Sequence, residues 1–183
     1  MTQVSQSETE QTAQAEYDTA AYLFNIIEAQ ITRADTKAGL VVAADSVFAT
    51  ALLLMSRGAL LALFSGTAAW HERLNAIAIL TIFVLLLFST LTSLVAARPA
   101  LKVRDEEGTL FFFGRISQME HKHFLESFSL QDASAMRQAI LTEVHNTSQI
   151  ATRKFRLIRY SIDFLIGAVA LWVIIQIVYG LTP

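Results

Sequence analysis

The side chains able to do polar chemistry gather where hydrophobic runs begin. Arg33, Asp35 and Lys37 alternate just before the apolar run 39–55. Arg153, Lys154, Arg156 and Arg159 stand just before another, 160–181. Cations at the foot of a membrane segment hold phosphate, either on an anionic lipid or on a small ligand such as a nucleotide. Arg115 follows the aromatic stretch 111–113, whose rings either close a core or stack a base. The ligand-binding candidates are therefore Arg33, Lys37, Arg115, Arg153 and Lys154. Asp45 is the one charge inside its apolar run. A carboxylate there costs roughly 3 kcal/mol on insertion scales. It either faces a neighbouring helix, protonated or hydrogen-bonded, or lines a polar pore. Asp35 and Asp45 are thus the candidates for membrane coupling and a pore.

Other chemistries find no residue set. His121 and His123 are two apart, so on a helix they point to different faces. There is no cysteine and no HExxH, so no metal site is expected. No GxGxxG or Walker A loop is present, and no nucleophile–base–acid set can be assembled. The expectation is a protein without enzymatic activity and without a cofactor.

The elements holding these residues are long helices. Only 2 prolines and 7 glycines interrupt 183 residues. Charged residues make up 16%, against about 25% in soluble domains. Mean hydropathy is +0.46, and 54% of residues are hydrophobic, which points to lipid. A net charge of −2 argues against general nucleic-acid binding.

Residues 1–14, rich in Gln, Ser, Thr and Glu, read as a disordered tail. Residues 15–37 read as an amphipathic helix, with apolar or small side chains at 17, 20, 24, 27, 31, 34 and 38. Residues 38–56 form a first transmembrane helix, broken at Ser56-Arg57-Gly58, and 57–73 an external loop. Residues 74–97, without a charge, form the second, with Ser89, Thr90, Thr92 and Ser93 marking a helix–helix contact. Region 98–159 is helical. The pair Ser117 and Glu120 reads as a capping box starting a helix that ends near 128, and Asp132 starts another helix. This last helix carries a seam at 136, 140, 144, 147, 151, 155 and 158 and continues into the third transmembrane helix, 160–181.

Lys and Arg set the orientation. Ten lie between 98 and 159, two between the first and second spans, and none after the third. The N-terminus and region 98–159 are therefore expected in the cytoplasm and the C-terminus outside. The fold class is an all-α membrane protein with three transmembrane helices and a cytoplasmic helical stalk. Burying both stalk seams calls for packing the two helices together, and an antiparallel arrangement is expected. The basic clusters at 33–37 and 153–159 then meet, with Asp35, Asp163 or an incoming anion between them.

Three segments together resemble a known family: Arg33-x-Asp35-x-Lys37-Ala38, Leu110-Phe111-Phe112-Phe113-Gly114, and Ile150-Ala151-x-x-Lys154. This set resembles the Pycsar transmembrane effector (PycTM) family, from the pyrimidine cyclase system for antiphage resistance, over roughly 17–180. The resemblance implies an effector that senses cCMP or cUMP made by a partner cyclase. It implies that the effector impairs the bacterial inner membrane, causing abortive infection. The apolar spans call for lipid contact, and the seams, which need a partner helix within the chain or from another copy, leave assembly into a homo-oligomer as the expectation. The rival reading is a membrane-anchored helical scaffold or small channel without a nucleotide ligand. A neighbouring cyclase gene separates the two.

Overall fold

The structure, a computed structural model, describes residues 2–61, 64, 69–99 and 113–181. These form five helices: α1 (Thr2–Leu61), α2 (Trp70–Ala97), α3 (Phe113–Ile116), α4 (His121–Ser129) and α5 (Ala133–Leu181). No strand occurs among the described residues. α1, α2 and α5 are each long and apolar enough to cross a membrane. Phe111, Phe112, Lys102 and Arg104 lie outside the described residues.

Local chemistry explains the helix bounds, including where they depart from the sequence expectation. α1 begins at Thr2, so the stretch expected as a tail is helical. It holds several Gln and Glu, and α1 has no Gly or Pro before Gly39, so nothing in it stops a helix. α1 also runs through Ser56-Arg57-Gly58 to Leu61. The Ser56 hydroxyl donates to the Leu52 carbonyl one turn back, which removes its polar demand. Ser46 and Thr50 do the same, at 2.7 and 2.8 Å. Ser117 and Glu120 do not form a capping box; Glu120 itself is the extended residue before α4, without a side-chain cap. The Ser117 hydroxyl donates to the Gly114 carbonyl at 2.9 Å, closing α3, and α4 starts only at His121. Asp132 does cap α5: its Oδ1 accepts from the Ala135 amide at 2.7 Å.

The chain divides into two compact units. Unit 1 comprises residues 1–33 and 99–152, and unit 2 residues 34–98 and 153–183. α1 and α5 each contribute to both.

Unit 1 packs the N-terminal part of α1 on the first part of α5. Ala20, Ile140 and Ala151 are buried, and Glu16 pairs with Arg137. Glu16, Thr19, Ala20 and Leu23 of α1 line one cleft with Arg137 and Leu141 of α5. In unit 2, Asp35 meets Lys154 and, further along both helices, Leu52 packs in a cluster with Ala168. In unit 2 α1 and α5 are therefore parallel, where an antiparallel pairing was expected. The reason lies in region order: residues 34–37 precede the first apolar run and 153–159 precede the third, so with their charged ends together the two helices run the same way. α2 runs the other way between them. Ala96 packs with Ala34, Ala38 and Ile158, while Ile82 and Leu86 pack with Leu52 and Ala168.

Candidate functional site

Unit 2 contains two polar constellations, one at the start of its helices and one within the bundle. At the start, Lys154 is drawn inward by the α5 seam, between Ala151 and Ile158, and is only 7% exposed. Its Nζ donates to Asp35 Oδ1 at 2.5 Å. The Asp35 side chain is far more open, at 41%. Asp35 lies beside Ala34 and within one turn of Ala38, and the burial of these small residues with Ala96 and Ile158 allows the three backbones to approach closely. The neighbouring Lys37 places its Nζ 5.6 Å from the centroid of the Phe155 ring, within cation–π range.

Of the candidates, the structure brings Asp35, Lys37 and Lys154 together. Lys154 is committed to Asp35 and its buried stem. Arg153 faces solvent, as do Arg33 and Arg115 in unit 1. Of the groups expected between the basic clusters, it is Asp35 that stands against Lys154 in unit 2, and Lys37, Arg153, Arg156 and Arg159 are exposed.

Deeper in the bundle, Asp45 is 2% exposed. Thr90 Oγ1 donates to its Oδ2 at 3.0 Å. Beside it α2 and α5 exchange hydroxyls. Ser89 Oγ donates to the Ser161 carbonyl and Ser161 Oγ to the Ser89 carbonyl, both at 2.9 Å. Ser93 Oγ lies 2.6 Å from Ser161 Oγ. All three serines are fully buried. In a bundle surrounded by lipid tails, such reciprocal bonds give specific helix contact where burial of apolar surface gives little.

Sequence reading marked Ser89, Thr90 and Ser93 as a contact but missed Ser161. A signal existed: Ser161 continues the seam of α5 three residues after Ile158. It also missed the Glu16–Arg137 pair of unit 1, which flanks an open cleft lined by Thr12, Ala15, Ala20 and Leu23. Glu16 and Arg137 each adjoin a seam residue, Tyr17 and Met136, so opposite charges flank the two stripes.

Three long apolar helices, with small residues and hydroxyls at their contacts and cations at one end, define a helical multi-span membrane protein. The family model described as Pycsar effector protein domain matches residues 19–180, nearly the whole length. The chain belongs to that family and is an effector of antiphage defence. No curated protein and no solved structure matches it.

Proposed function

We propose that this effector senses a cyclic pyrimidine mononucleotide, cCMP or cUMP, and responds by impairing the bacterial inner membrane, so that an infected cell stops growing. It acts without catalysing a reaction. The N-terminus and the region before α5 lie in the cytoplasm and the C-terminus lies outside, in keeping with the ten cations between 98 and 159. The observation that carries this reading is that α1 and α5 each belong to both units. A ligand that changes the packing of α1 on α5 in unit 1 acts on the same two helices that cross the membrane in unit 2.

Among the cations of unit 1, Arg33 and Arg115 are exposed to an incoming cyclic phosphate, and Arg137, paired with Glu16, lines the cleft. Assembly of several copies on a lipid surface completes the response. A ligand shifts such an equilibrium only by its preference for one state over the other, so the assembled form must bind the nucleotide more tightly.

The test is dye release from vesicles carrying the full chain. cCMP or cUMP should raise the release rate several-fold, whereas the matching purine cyclic nucleotides should not. Release that ignores added nucleotide would sink the reading.

A further inference from the structure

Asp45 has an unexplained oxygen. Its Oδ1 is buried and no hydrogen bond of good geometry reaches it, although the Ser89 hydroxyl lies close to the carboxyl group. A carboxylate has about four lone-pair sites and no donor of its own, and the Thr90 hydroxyl meets one of them on Oδ2. Buried acceptors without partners are rare, and each calls for a cause.

The surroundings narrow that cause. Along α1, residues 38, 45 and 52 are seven apart and share a face. Ala38 belongs to the apolar cluster with Ala96 and Ile158, and Leu52 to that with Leu86 and Ala168. Asp45 lies between these two clusters, as do Ser89, Thr90 and Ser93 on α2 and Ser161 on α5. The result is a layer of oxygen atoms sealed by apolar layers on both sides.

Among the described residues, no basic residue of α1, α2 or α5 falls at the positions that form the layer. On α1 the nearest is Lys37 and on α2 Arg98, each eight residues along its helix, or about 12 Å. On α5, Arg159 is exposed, and so is the other acidic group of the region, Asp163. Water fills a hydrogen bond but does not balance a charge, whereas a proton or a small hard cation does both. The several hydroxyl oxygens gathered in the layer are, with carboxylate, the ligand types a hard cation takes.

We propose that Asp45 and Thr90, with the hydroxyls of Ser89, Ser93 and Ser161, form an intramembrane site for an alkali cation. The carboxylate supplies the charge and the hydroxyls the remaining oxygens. The site stands independently of nucleotide sensing.

The experiment is thermal unfolding of the full chain in mild detergent at constant ionic strength and constant chloride. N-methylglucamine is exchanged stepwise for Na+, K+ or Li+. Wild type should gain several degrees in Tm along a saturable curve, with one of the three cations acting at lower concentration than the others. Asp45→Asn keeps the size of the side chain and an acceptor for Thr90, and should lose the shift. Thr90→Val keeps the carboxylate and should move the midpoint about tenfold higher in cation. If Asp45→Asn does not fold, Thr90→Val together with ²²Na+ binding to wild type decides the matter. The proposal is overturned if wild type shows no cation-dependent shift, or if Asp45→Asn shifts as wild type does. It is equally overturned if only pH, and no alkali cation, moves the wild-type Tm, since a proton would then be the partner of Asp45.

Discussion

The Lys154–Asp35 pair is unequal in burial, and that inequality predicts an unequal response to mutation. Lys154 has a 9% exposed side chain and Asp35 one of 41%. Removing the acid leaves a buried ammonium without its partner, whereas removing the base leaves a carboxylate that water reaches. Asp35→Asn should therefore cost about 1–3 kcal/mol of stability, and Lys154→Met less than about 1 kcal/mol. Chemical unfolding in mixed micelles measures both, and equal losses would contradict the assignment. Ser161 tests the hydroxyl layer in the same way. Its side chain contacts both Ser89 and Ser93, so Ser161→Ala should cost about 1 kcal/mol. Adding Ser93→Ala should then cost less than it does in wild type, because the partner is already gone.

The decisive property at the level of elements is that α1 and α5 run the same way in unit 2. Region order already implied it. Residues 15–37 precede the first apolar run and 133–159 precede the third. The antiparallel expectation came from treating seam burial as a pairing problem without direction, and apolar stripes carry no direction. Closeness of approach was legible only in part. Small residues at 34 and 38 fall on the α1 seam, but nothing in the pattern says that Ala96 of α2 meets them. A larger side chain there must force the helices apart. Ala38→Leu should cost about 1–3 kcal/mol by overpacking, while Leu40→Ala, two residues away at 66% exposure and facing away from the bundle, should change little. Heat-induced loss of α-helical circular dichroism compares the two. Comparable effects would place Ala38 outside the three-helix contact.

The whole molecule lacks cysteine, so its orientation can be read one position at a time. Trp70 opens α2 and is 74% exposed, and Ser117 lies before α4. In spheroplasts, an impermeant maleimide should label Trp70→Cys directly and Ser117→Cys only after lysis. The reverse result would invert the proposed topology, and with it the placement of unit 1 on the side where a cyclic nucleotide is made. Ligand-dependent vesicle leakage then asks whether α1 and α5 carry a signal between the units they share.

Hydrophobic periodicity and run length alone determined three spans, the two seams and the near absence of turns. The reason is that lipid demands about twenty apolar residues per crossing and a helix demands its own 3.6-residue repeat. Charge count along the chain set the expected orientation. Which polar residues meet was decided by tertiary structure alone. Asp45 and Thr90 are 45 positions apart, Ser89 and Ser161 72, and Asp35 and Lys154 119. Each pairing depends on the rotation and depth of helices whose faces the sequence defines, but whose register it does not.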